Sequence, residues 1–134
     1  MCPKYRLTIR IMDGGVWRVQ ITRITDARPY EAPGHHETAA LRLQGHAATS
    51  TRHNWVGLSH FLPGGGADAS ASPLERIYVV LTGQITVTSA PGEEAVLGPL
   101  DSVCFAPGET RSVRNDTTLP ATMLVLMPYP PAAA

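Results

Sequence analysis

The chain has no apolar run approaching the ~18 residues that a membrane-crossing helix needs. Its start has no hydrophobic core either, because Lys4, Arg6, Arg10 and Asp13 interrupt it. Neither a membrane segment nor a secretory leader is therefore expected. Charge of one sign is also missing: 11 basic and 11 acidic residues leave a formal net charge of zero. No basic field exists to hold nucleic acid or an anionic membrane surface. Cysteine is scarce, and Cys2 and Cys104 lie far apart. Such a pair makes no disulfide framework, so a cytoplasmic location is expected. Cys104, between Val103 and Phe105, is expected to be a small buried hydrophobe. There is no Ser-His-Asp signature, phosphate loop or Cys-x-x-Cys pair. No long segment carries a helical period, and no internal repeat is present.

What is there is a chain of 134 residues, 43% hydrophobic, enough for one domain around one core. Residues 1–15 form an N-terminal extension without a decisive pattern. Tyr5 to Met12 fits a strand, but Gly14-Gly15 follows at once. Trp17 to Ile24 alternates apolar and polar residues, the period of a half-buried strand. Thr25 to Thr38, with Pro29, Pro33 and Gly34, reads as loop or edge-strand material. Ala39 to Leu43 is a short strand and Gly45 to Asn54 a polar loop. Trp55 to Leu62 alternates again, with Trp55, Gly57, Ser59 and Phe61 on one face and Val56, Leu58, His60 and Leu62 on the other. Pro63 and three glycines are expected to stop it.

Ile77 to Leu81 is a continuous apolar run, expected in a strand covered on both sides. Gly83 turns it, and Gln84 to Thr88 returns as a hairpin. Ala95–Leu97, Ser102–Ala106, Arg111–Arg114 and Ala121–Met127 complete the strands, and residues 128–134 form a loose tail. Many short strands with Gly, Pro, Asn and Asp turns predict an all-β fold, a sandwich or small barrel.

Two stretches add to this. Gly64 and Gly83 bracket Phe61–Gly83, and Pro107, Gly108 and Asn115 punctuate Ala106–Asn115. In punctuation and mutual spacing these stretches resemble the two conserved motifs of the cupin barrels. The resemblance implies a single-domain jelly-roll barrel over residues 16–127. It also implies pairing of subunits, here a homodimer, to which the apolar face at Trp17 and Trp55 would contribute. One departure is the second motif's proline, shifted by one to Pro107; the others lie chiefly where the family holds its metal. Ser70 and Ser72 stand in the places of two histidines, Arg76 in that of a glutamate and Arg111 in that of a third histidine. The second motif's opening glycine falls on Leu100. Two hydroxyls and two guanidiniums offer no set for a divalent cation, since guanidinium carries donors only. No metal and no other cofactor is expected. His35, His36, His46 and His53 lie in loops at irregular distances and are expected to face solvent.

Two arginines in one small barrel repel and are costly to desolvate without an anion. Two readings stay open. The pair is neutralised internally by Asp68, Glu75, Asp101 or Glu109 and plugs the barrel, or it binds an anionic ligand, which guanidinium grips in bidentate fashion. In the second reading Arg76 and Arg111 stabilise charge formed in a reaction, and Ser70 and Ser72 hydrogen-bond the ligand. Tyr78, two residues beyond Arg76 on the same strand face, is a proton donor or a wall. His60 is a general acid or base, or simply half-buried. The function expected is a metal-independent enzyme on a small carboxylate-bearing metabolite, an isomerase, lyase, cyclase or decarboxylase. The alternatives are a non-catalytic small-molecule-binding module and, third, a metal-dependent dioxygenase with non-standard ligands.

Overall fold

The computed structural model describes residues 19–131. The extension at 1–15, Trp17, Cys2 and the last three residues of the tail lie outside them. Nine strands occur among the described residues: β1 (Arg28–Tyr30), β2 (His35–Gln44), β3 (Asn54–Ala71), β4 (Arg76–Thr82), β5 (Ile85–Ser89), β6 (Glu93–Leu97), β7 (Ser102–Phe105), β8 (Thr110–Arg114) and β9 (Ala121–Pro128). Apart from one 3-10 turn at Ile24–Asp26, no helix occurs among the described residues. None is therefore long and apolar enough to cross a membrane. All strand pairs are antiparallel, in the order β6-β5-β8-β3-β9-β4-β7, with β2 and then β1 added at β3. The all-β jelly-roll expectation holds.

β3 organises the barrel. Its first half, Asn54 to Phe61, pairs with β9, and its second half, from Gly66, pairs with β8. One strand thus belongs to both walls. The expectation that Pro63 and the glycines end this strand is wrong, because they bend it instead. Gly64 takes a left-handed φ of 82°, which glycine adopts without penalty. A Cβ on Gly65 or Gly66 would run into the carbonyl oxygens of Glu37 and Val113. These residues are small because two neighbouring backbones close on the bend. The side chains turned inward form the core, with Phe61, Val80, Ile85 and Met123 the most deeply buried and Tyr78, Phe105 and Val125 packed with them.

The two motif stretches are clipped to each other at both ends. Gly64 N–H donates to Asn115 O at 2.9 Å and Asn115 N–H to Gly65 O at 2.8 Å; at the other end Gly108 N–H donates to Ser72 O at 2.7 Å. The Asn115 side chain is fully buried. Its Nδ2 donates to Phe61 O and Leu119 O, and its Oδ1 accepts from Thr117 N–H and hydroxyl. Leu100, in the place of the second motif's opening glycine, has a φ of 68°. That left-handed conformation explains why glycine suits the position.

Three further expectations are corrected. Residues 19–23 form no strand and Ile24 opens the 3-10 turn. Alternation alone makes no strand where no sheet edge offers a partner, and Val19, Ile21 and Ile24 stay exposed. Ile77 to Leu81 is not covered on both sides: Arg76, Tyr78 and Val80 are buried while Ile77 is exposed. Cys104 is exposed rather than buried. On β7, Val103 and Phe105 turn inward, and the thiol between them faces out towards Glu75.

Candidate functional site: an arginine-lined barrel cavity

A cavity of about 300 Å³ opens inside the barrel against Tyr78, Phe61, Met123 and Val125. That is the lower end of small-molecule site volumes. β4 and β8 bring the motif residues together there. Arg76 and Tyr78 are alternate residues of β4 and point the same way. Arg111 on β8 stands in register with Ser70 of β3 on one side and Ser89 of β5 on the other. Arg76, Tyr78 and Arg111 are 3%, 3% and 7% exposed, so their polar groups see the cavity and little bulk solvent.

Their partners bear on the internal-neutralisation reading of the arginine pair. Arg111 Nε donates to the Tyr78 hydroxyl at 2.7 Å, and Nη1 donates to Asp68 O at 3.1 Å. Arg76 Nη2 donates to Ser70 O at 3.2 Å and Glu109 O at 3.0 Å. Asp68 and Glu109 therefore contribute backbone carbonyls, not carboxylates. The ion pairs among the described residues are His36–Asp68, Arg114–Glu94 and Arg114–Asp116, and neither cavity arginine takes part. Arg76 Nε is buried without any hydrogen-bond partner. Burial pulls the Arg76 guanidinium below its ordinary pKa; Tyr78 opposes this and the Arg111 charge adds to it. The internal plug through Asp68, Glu75, Asp101 or Glu109 is not formed among these residues.

The other expected residues fall as follows. Ser70 and Ser72 both line the cavity. The Ser72 hydroxyl also accepts from Leu74 N–H at 3.1 Å, a local turn contact. His60 does not line the cavity. It lies on the face of β3 opposite Ser59 and Phe61, and its Nδ1 meets the Thr122 hydroxyl at 3.1 Å. The period of two turns it away from the site. His35 and His36, expected in a loop, lie on β2, and His35 lines the cavity; Tyr30, Glu31, Arg42, Trp55 and Ser59 line it too and were not expected there. The Arg42 guanidinium lies 3.6 Å from the Tyr30 ring centroid and 4.8 Å from that of Trp55. Its Nη1 is buried without a partner. Burial raises the Tyr30 pKa although Arg42 acts against it, so Tyr30 stays a neutral phenol at neutral pH. The one acidic side chain in the wall, Glu31, is exposed, against three arginines that also line the cavity. The cavity is thus cationic.

The set Ser70, Ser72, Arg76 and Arg111 does not fit a divalent cation, since both guanidiniums repel it and offer no lone pair. No group of three His, Cys, Asp or Glu is placed to hold a metal among the described residues. What the arrangement can do is bind an oxyanion and offer it a proton. Tyr78 accepts from Arg111, which leaves its own hydroxyl hydrogen free for the cavity.

Comparison with known proteins places this geometry in a family. A relative from Mycobacterium tuberculosis, named a beta-D-galactosidase, is 46% identical over 114 residues, covering 85% of this chain and 97% of that protein. A polyketide cyclase from Streptomyces resistomycificus superposes with a TM-score of 0.74 at 18% identity, covering 82% of this chain and 79% of the other. A predicted oxalate decarboxylase from Thermotoga maritima gives 0.71 at 16%, covering 83% and 100%. At these identities the two structures show the common fold alone. The cupin domain model matches residues 57–127, from β3 to β9, and with the barrel, the clipped motif turns and the inward-facing site the chain belongs to the cupin family.

Proposed function

We propose that this cupin is an enzyme acting on a small carboxylate-bearing metabolite, without a metal, by acid–base and electrostatic catalysis. One observation carries the reading: Arg76 and Arg111 are buried in one cavity without a carboxylate partner, and Arg76 Nε is bonded to nothing. A buried cationic donor without an acceptor is unfavourable in the free protein, and a ligand carboxylate removes that cost. The guanidiniums then hold the carboxylate and stabilise an enolate or other oxyanion as it forms. Tyr78 donates or recovers a proton at the same oxyanion. Isomerisation, elimination, cyclisation and decarboxylation all pass through such charge, and the fold does not choose among them.

A second reading is favoured by the 46% identity to the protein named a beta-D-galactosidase: hydrolysis of a galactoside. Glycoside hydrolysis ordinarily uses two carboxylates. This cavity wall carries one, Glu31, so the second role would fall to the Tyr78 phenol.

The two readings separate in one experiment. Protein dialysed against chelator is incubated with a library of small carboxylates and, separately, with a chromogenic neutral β-galactoside; consumption is followed by NMR and by colour. The carboxylate reading predicts that a carboxylate is consumed by the parent protein and not by Tyr78→Phe, while the neutral galactoside survives. Hydrolysis of the galactoside, lost in Glu31→Gln, with the library untouched, overturns it. Carboxylates bound but never consumed would make the barrel a binding module and equally end the enzyme claim.

A further inference from the structure

The same cavity has a second cationic end. The strand register joins Arg42 of β2 to Gly57 of β3, Gly57 to Val125 of β9, and Val125 to Tyr78 of β4. Residues in one row share a face of the sheet. Arg42 and Tyr78, which carries Arg111 on its hydroxyl, are thus the two ends of one row across the cavity wall. Neighbouring strands lie ~4.8 Å apart, so three steps separate their Cα atoms by roughly 14 Å along the sheet, less where it curves.

The middle of the row is Gly57, with Tyr30 over it, and Val125. Gly57 has no side chain, and a Cβ there would come within 2.9 Å of the Tyr30 hydroxyl. Tyr30 therefore lies over Gly57 and offers its ring to Arg42. Trp55 contributes a second ring. With aromatic rings against it, the guanidinium meets a ligand through its N–H donors, and the buried Nη1 has no acceptor. Stacking fixes the fork in advance, so little side-chain freedom is lost on binding.

We infer that the ligand of this cavity carries two acidic groups, one held at Arg76 and Arg111 and the other at Arg42, spaced to span the row between them. This rests on the carboxylate reading above and narrows it from a monoacid to a diacid. Three arginines against one exposed carboxylate, Glu31, in the wall agree with a dianion.

The test is a thermal-shift and calorimetric series with straight-chain dicarboxylates of increasing length and the monocarboxylates of matching length. The expected result is one optimal length at which the diacid binds at least about tenfold more tightly than its monoacid. In Arg42→Met that preference collapses to within about twofold, whereas Arg111→Met loses monoacid and diacid together. Should the Met variant fail to fold, Arg42→Gln carries the same expectation. Equal binding of monoacids and diacids, or an undiminished diacid preference in the Arg42 variant, overturns the inference while leaving the carboxylate site standing. Failure of every carboxylate to bind strikes instead at the reading beneath it.

Discussion

Arg76 and Arg111 illustrate what one residue type does to a barrel of this kind. Where the motif resemblance expects a glutamate and a histidine, each places a charge that cannot be discharged near neutral pH. The protein meets that charge with carbonyl oxygens and a phenol rather than a carboxylate. The consequence is measurable in the ligand-free protein. Removing one partner of a buried ion pair costs about 3–5 kcal/mol because it strands the other charge. Arg111→Met strands no charge and relieves repulsion with Arg76, while it gives up bonds to Tyr78 and Asp68. With the relieved repulsion offsetting part of the two lost bonds, its loss in a urea melt should stay below about 3 kcal/mol, the upper scale of one charge-assisted hydrogen bond; a loss of about 5 kcal/mol would reveal a hidden ion pair. Both arginines were legible because they sit at fixed distances from glycine turns. Arg42 was not, since no motif surrounds it. Its one signal was that it shares a strand face with Ala40, which is buried. His60 misled for the converse reason: its chemistry fits a site, but its parity on β3 turns it away.

At the level of elements, β3 carries the most information that the sequence concealed. Pro63-Gly64-Gly65-Gly66 has the composition of a turn, yet the strand runs through it from Asn54 to Ala71. Composition reports that the backbone there needs freedom and room. It does not report whether the chain ends or bends, because that depends on β2 and β8 arriving on either side. Gly66→Ala tests the packing explanation. The added methyl meets backbone, which cannot swing away, so overpacking should cost about 1–3 kcal/mol in denaturant unfolding. A variant as stable as the parent would show that the glycine is not there for close approach. The short strands β4, β5, β7, β8 and β9 were legible to within a residue or two, since each is flanked by its own turn residues. Cys104 and Ile77 were misread for one reason. A run of apolar letters looked like burial on both faces, where the strands alternate and leave one face open.

For the whole molecule, the all-β class followed from strand period and turn residues, the barrel from the cupin resemblance of the two motif stretches, and the family match over residues 57–127 agrees with it. The reaction did not follow, because function resides in what the cavity holds rather than in the barrel. The cavity is assembled from β1 to β4, β8 and β9, elements far apart in the chain, and only β4, β8 and the second half of β3 lie in the two motif stretches. The central claim is that this cationic cavity binds a carboxylate. Isothermal titration of the parent protein with a small carboxylate and with its neutral amide tests it most directly. Saturable binding of a carboxylate at one site per chain is expected, with no heat from the amide and loss of the signal in Arg111→Met. Equal binding of amide and carboxylate, or carboxylate binding that survives in Arg111→Met, would contradict it.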